Sequence, residues 1–382
     1  MAGTHHFEPY HRVEPAPVQP PPVSTTGVVG WIRENLFPNW WNAILTLVSV
    51  WLIYVVVSEV IEFAFVKAVW TGDNREDCLA ENAGHEVGAC WAYVRAKFGQ
   101  FIYGFYPIGQ RWRVDLTFLL GALLIVPLAI PGVPWKRENA LLLFVAYPVV
   151  AFFLLSGGIF GLPVVESYLW GGLLLTLVIA ITGIVASLPL GILLALGRRS
   201  KMPVIRLLSV IFIEFWRGVP LITVLFMSSV MLPLFLPEGT TLDKVVRPLI
   251  GVALFASAYM AEVIRGGLQA IPRGQYEGAQ ALGLSYWQTM GLIILPQALK
   301  LVIPGIVNTF IGLFKDTTLV SIIGLADLLG IVQTSFADAE WSTPTTAWTA
   351  YLFTAMVYWL FCFSMSRYSI FMEHRLHTGH RR

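Results

Sequence analysis

The sequence predicts an all-α, polytopic inner-membrane protein with about eight transmembrane helices. Of its 382 residues, 56% are hydrophobic and only 13% are charged. Mean hydropathy is +0.69, and apolar runs close to the ~20 residues needed to cross a bilayer recur along the chain. A soluble domain has too little interior to hide so much apolar surface.

Residues 1–38 form a polar tail with Pro15, Pro17, Pro20, Pro21 and Pro22, a composition that stays extended. The first apolar run begins too far along, and is too long, to be the core of a cleavable signal. Runs at 41–66, 114–133, 139–157, 169–197, 218–236, 248–270, 297–323 and 347–372 are the expected spans, with room for a break in 297–323. The first three, with the long polar loop 67–113, read as an N-terminal extension over 39–168. The last five read as a separate unit over 169–372, followed by a short tail, 373–382.

Basic residues set the orientation. With the N-terminus in the cytoplasm, the segments and span ends on that side hold 16 of the 25 Lys and Arg against eight acids, and the remainder is net acidic. The positive-inside rule therefore places both termini in the cytoplasm and the 67–113 loop in the periplasm. That loop carries six basic residues of its own, but long loops cross largely regardless of charge. Cys362 lies in an apolar run and reads as a packing residue. Cys78 and Cys90 share the 67–113 loop, where a disulfide and two independent thiols both fit.

Residues 277–296, EGAQALGLSYWQTMGLIILP, form a polar, helix-prone stretch between two apolar segments. Ala279 and Ala281 suit a short helix that approaches a partner closely, and Gly283 can end it in a left-handed turn. Ser285 is placed to cap a second helix through Tyr286 and Trp287, which Pro296 is expected to stop from running into the next span. Two short helices across the end of a span make a rigid knob able to fill a cleft in a soluble partner. An ordinary cytoplasmic helix-turn-helix satisfies the same physics.

Several charges stand out. Glu214 and Arg217 are three apart and share a helix face, as do Glu262 and Arg265, each pair near the cytoplasmic end of a span. They read either as exposed ion pairs or as a gate or brace beside the 277–296 stretch; Arg273, just before it, is placed to help dock or brace it. Lys315 and Asp316 interrupt an otherwise apolar run, with the hydroxyls of Thr317, Thr318 and Ser321 beside them. Ionisable groups at such depth normally face a partner or a water-filled path. An unwound helix here would offer free backbone groups and an adjacent plus and minus charge to a zwitterion; a solvated helix end is the other reading. Glu59 and Glu62 read as a wetted rim. Trp40, Trp41, Trp341, Trp348 and Trp359 fit interfacial belts or protein contacts, and the terminal histidines fit solvated tails.

A resemblance sharpens this. Glu277, Gly278, Ala279, Gly283, Ile293, Leu295 and Pro296 follow E-x-A-x-x-x-G, nine residues, then I-x-L-P, which resembles the coupling loop of the membrane subunits of bacterial ABC importers. Gly278 stands where that loop usually has Ala, at a cost of ~1 kcal/mol in helix propensity. FIEFWRGVPL at 212–221, AEVIRGGLQAIPRGQYEGAQALGLS at 261–285, LPQAL at 295–299 and LFKDTTLVSIIGLADLL at 313–329 resemble the polar-amino-acid branch of that family, with Val219 where the branch usually has Thr. The three-span extension and long second loop are similar to a membrane subunit of a general L-amino-acid permease. The resemblance implies a five-helix importer core over 169–372 and pairing with a second, homologous membrane subunit. It further implies two separate ATPase subunits, which bind ATP and Mg and dock on the coupling loop, and a periplasmic amino-acid-binding protein.

No lysine follows a glycine anywhere in the chain, so a phosphate-binding G-x-x-x-x-G-K-[ST] loop cannot occur and energy must come from another subunit. No Ser/His/Asp, Cys/His or H-E-x-x-H set suggests catalysis, and the expected surroundings are lipid, with no nucleic acid, metal or cofactor of its own. Two other readings account for parts of the sequence: an ion-gradient-driven transporter, which explains the intramembrane charges, and a non-transporting membrane scaffold, which explains the loop.

Overall fold

A computed structural model describes residues 27–84, 86–130, 132–237 and 242–377. Most of the Pro-rich tail, with His5 and His6, and the last five residues, with His380, lie outside them. The described chain divides into two compact units, residues 1–67 and 68–382.

The first unit holds α1 (Gly27–Asn35) and α2 (Trp40–Val66). Asn39 caps α2, its side chain accepting from the Asn42 N–H at 2.9 Å. Apolar side chains cover α2 on all sides over most of its length, with Glu59 and Glu62 near its end. It ends in a wider turn over Glu62–Val66, where Glu62 pairs with Lys67 at 2.9 Å.

The second unit contains α3 (Trp91–Tyr103), α4 (Ile108–Ala129), α5 (Lys136–Ser156), α6 (Gly172–Arg198), α7 (Pro203–Gly218), α8 (Leu221–Phe235), α9 (Val246–Ala270), α10 (Arg273–Ala281), α11 (286–301), α12 (Ile303–Ile323), α13 (Leu328–Thr334) and α14 (Thr346–His377). Among the described residues, seven helices are long and apolar enough to cross a membrane, and the bent pair α7–α8 brings the number to eight.

The unit boundary at 67/68 differs from the expected division at 168/169. Residues 68–107 are not a free loop. Cys78 and Cys90 are joined by a disulfide, and Tyr93, Phe101 and the two cysteines share one core with Leu328, Ile331, Trp341 and Phe353 of the C-terminal part. The Arg75 N–H donates to the Glu340 carbonyl at 2.7 Å, and Lys97 pairs with Asp338. That hydrogen bond from Lys97 holds the Asp338 carboxyl below its usual range. The Tyr93 hydroxyl meets Ser335, and burial pushes its pKa up to about 12.

Three expectations about helix continuity are corrected. The span expected at 218–236 is the second arm of a helix pair bent by 103° at Val219–Pro220, because Pro220 has no N–H to continue α7. α7 itself, which has Pro203 at its start, precedes the span expected at 218–236. Pro296 does not stop the helix after Ser285: a widened turn over Thr289–Ile294 absorbs it, and α11 runs on to Leu301. The break falls at Val302, and the span expected from 297 begins at Ile303.

Candidate functional site

α10 and α11 form a two-helix knob at one end of the second unit. α10 closes at Gly283 (φ +69°) with the Gly283 N–H donating to the Gln280 carbonyl and the Leu284 N–H to the Ala279 carbonyl, a doubly bonded left-handed stop. Nothing lies within 4 Å of where a Cβ on Gly283 would stand, so glycine is favoured there by backbone conformation alone. The Gln288 side-chain oxygen accepts from both the N–H and the hydroxyl of Ser285 at 2.9 Å, fixing the start of α11.

The inner face of the knob is anchored. Ile294 and Ala298 are fully buried with Ala195 of α6 and Met260, Ile264 and Leu268 of α9. Gly267 of α9 permits the close crossing, since a Cβ there would meet the Ala298 carbonyl at 2.6 Å. Tyr276 donates to the Leu268 carbonyl and accepts from Arg199, both at 3.2 Å, and Gln297 donates to Gln275 at 3.0 Å.

The outer face is bare. Leu282 is 76% exposed, Leu292 70% and Trp287 69%, with Tyr286 beside them. Of the coupling residues expected from sequence, Ala279 is buried and Ile293 and Leu295 are half-buried against the anchoring core, while Arg273, Glu277, Gly278, Gly283 and Pro296 are exposed. Among the described residues Arg273 makes no ion pair or side-chain hydrogen bond.

Behind the knob the four gate or brace residues come together: Glu262 pairs with Arg265 as expected, while Glu214 takes a different partner. Glu214 does not bond Arg217 along α7; it reaches Arg198 at the end of α6, at 2.8 Å. The same guanidinium nitrogen lies 2.8 Å from Glu262. Glu262 also takes Arg265 in two contacts of 3.0 and 2.8 Å and Arg217 at 3.7 Å. Its side chain is only 15% exposed. One carboxylate on α9 thus gathers arginines from α6, α7 and α9, an arrangement whose key member, Arg198, lies 64 residues from Glu262.

Of the two readings of Lys315–Ser321, the chain does not show an unwound helix. After Asp316 the chain tightens into a narrower helix over Thr317–Ile323. Thr317, Thr318 and Ser321 donate to the carbonyls of Phe314, Lys315 and Thr318, so their hydroxyls reinforce the turns. Lys315 is exposed and Asp316 half-buried, and neither has an ion-pair or hydrogen-bond partner for its charge among the described residues. Close by, and missed from sequence, is a buried polar chain: Asp327 caps α13 by accepting from the Gly330 N–H at 2.9 Å and from the Tyr358 hydroxyl at 3.0 Å. Burial raises the Asp327 carboxyl above its usual range despite those bonds. Only its place before an apolar helix marks it in the sequence, as a cap.

The family described as "Binding-protein-dependent transport system inner membrane component" matches residues 187–377. The chain is 54% identical over 363 residues to the inner membrane amino-acid ABC transporter permease protein YhdY of Escherichia coli K12, covering 95% of this chain and 97% of the relative. It is 44% identical over 437 residues to the glutamate/glutamine/aspartate/asparagine transport system permease protein BztC of Rhodobacter capsulatus, covering 97% and 98%. The crystal structure of an amino acid ABC transporter with histidines superposes with a TM-score of 0.46 at 30% identity, over 53% of this chain and 92% of the other. The chain therefore belongs to the family of inner membrane components of binding-protein-dependent transport systems.

Proposed function

We propose that this chain is a membrane-spanning subunit of an ATP-driven importer of L-amino acids, and that the α10–α11 knob is the surface on which a separate ATPase subunit docks. The observation that carries this is the contrast across the knob. Its inner face is bonded to α6 and α9, while Leu282, Tyr286, Trp287 and Leu292 are held out with nothing covering them. Exposed apolar patches held on a rigid support mark protein interfaces.

The substrate class rests on the relatives named above and on the zwitterion-like neighbours Lys315 and Asp316. The chain supplies no catalytic group: ATP and Mg belong to two ATPase subunits. A periplasmic binding protein delivers the amino acid, and a second, homologous permease subunit completes the path. With basic residues kept inside, both termini and the knob lie in the cytoplasm. Closure of the ATPases on ATP would pull the knob, and the Glu262 cluster would pass that pull to α6, α7 and α9 as one body. The exchange between inward- and outward-open states is driven because ATP binds them unequally.

Gly283→Asp tests the docking surface. It retains the protein in the membrane, abolishes amino-acid uptake and releases the ATPase subunit on co-purification. Full uptake with the ATPase still bound would refute the reading. Lys315→Ala with Asp316→Ala tests the path: uptake falls while ATPase association holds, and unchanged uptake removes these residues from it. Uptake by nucleotide-free vesicles would favour an ion-driven transporter, and normal uptake in a deletion strain a scaffold.

A further inference from the structure

Two cavities adjoin at the turn between α6 and α7, where Arg199 and Ser200 belong to the walls of both. One, of about 530 Å³, is lined by Arg198, Arg199, Arg206 and Arg265. The other, of about 660 Å³, lies between that turn and the knob. Its wall is mostly apolar, with Leu193, Leu196, Ile205, Leu268 and Met290 together with Lys201. Leu190 and Leu193, 38% and 59% exposed, stand one turn apart on α6 and lead from the span to this wall.

Positive charge is in excess here. In the Glu262 cluster three arginines are set against two acids, and Arg199, Lys201 and Arg206 beside it add three cations and no acid. Among the described residues no carboxylate lines either cavity, Glu277 of the knob included. Lys201 and Arg206 are exposed, and among the described residues neither makes an ion pair or a side-chain hydrogen bond. Arg199 gives one N–H to the Tyr276 hydroxyl and lies 5.7 Å from the centre of its ring, which engages one of its five donors. The Ser200 hydroxyl accepts from the Met202 N–H at 3.1 Å, so its own hydrogen remains to be donated. Open, convergent cationic donors are the complement of a phosphate. An apolar cavity sharing their wall is the complement of a hydrocarbon chain attached to that phosphate.

We propose that the two cavities together bind an anionic phospholipid. Its phosphate lies at the shared wall, between Arg199, Ser200 and Arg206, and one acyl chain enters the apolar cavity past Leu193. Basic pockets between membrane helices hold such head groups. With no acid in either wall an ammonium finds no partner, so a head group of net negative charge is selected over a zwitterionic one. A soluble phosphate would leave the apolar cavity unfilled. Occupancy depends on the fold alone, whatever protein docks at the knob.

The test places the chain, purified with its partner subunits, in nanodiscs of phosphatidylcholine with equal minor fractions of phosphatidylglycerol and phosphatidylethanolamine. Native mass spectrometry then reads the lipids still bound after release, and phosphatidylglycerol should be retained in preference. Arg206→Gln should lower its retention about fivefold, and Arg206→Gln with Lys201→Gln about thirtyfold. Neither side chain holds another part of the fold, so assembly should be unaffected. Lys300→Gln, which removes an exposed cation outside both cavities, should change nothing. Equal retention of the two lipids, retention unchanged in the double variant, or an equal loss in Lys300→Gln would overturn the proposal. So would displacement of the lipid by inorganic phosphate, or a photo-crosslinker at position 205 that captures polypeptide instead of lipid.

Discussion

Residues 68–107 and the 271–301 knob are both polar stretches between spans, and both carry large aromatics, yet they treat them in opposite ways. In 68–107, Tyr93 and Phe101 are completely buried, packed with Trp341 at 4% exposure. In the knob, Trp287 is 69% and Tyr286 51% exposed. The first segment completes the fold of its own chain. The second is finished only by another protein. Composition does not separate the two cases; the position of a covalent and hydrogen-bonded frame does, since the frame of 68–107 points into the unit and that of the knob points only from its back.

The comparison can be broken or sharpened by asking what each residue costs in stability. The largest loss is expected from Cys78→Ser with Cys90→Ser. Opening a cross-link of 12 residues' separation should destabilise 68–107 by ~3 kcal/mol, read as faster proteolysis of that segment with uptake retained. Next comes Tyr93→Phe, which removes the buried hydroxyl bond to Ser335 and should lower stability by ~1 kcal/mol in thermal unfolding.

Smaller still is the Lys97–Asp338 pair, at the partly exposed edge of the segment, worth under ~1 kcal/mol. Because the folded carboxyl is depressed, its contribution is complete above the unfolded value near ~3.9. It is lost as pH falls through the folded one. Protease sensitivity of 68–107 should rise only below about pH 4, and Asp338→Asn should remove that dependence. Trp287→Ala should leave the unfolding midpoint within ~0.5 kcal/mol of the parent, while weakening ATPase binding ~30-fold, as loss of a central aromatic anchor does. A Trp287→Ala protein that unfolds early would erase the distinction between the two segments.

Much of this was legible in the chain. Apolar run length located seven of the spans to within several residues, since the bilayer imposes that length directly, and found only the second arm of the bent pair. The turn at Gly283 was readable because few residues other than glycine enter that conformation. What failed was continuity. Proline marks a lost N–H without saying whether a widened turn will absorb it, as at Pro296, or a sharp bend will follow, as at Pro220. α7 hid among basic residues, although Val204, Leu207, Leu208 and Ile211 recur at helical spacing beside Arg206. Short-range spacing suggested Glu214 with Arg217; the structure chose Arg198 for Glu214, a partner that sequence separation conceals.

The Glu262 cluster also has a genetic signature. Three guanidiniums share two carboxylates there, so removing one arginine leaves a balanced set, whereas Glu262→Gln strands three like charges around a single remaining acid. Loss of any one of Arg198, Arg217 or Arg265 should therefore be the milder lesion. Selection for restored transport in a Glu262→Gln strain should return second-site changes that delete one of those arginines, most often Arg217, whose 3.7 Å contact is the loosest of the set.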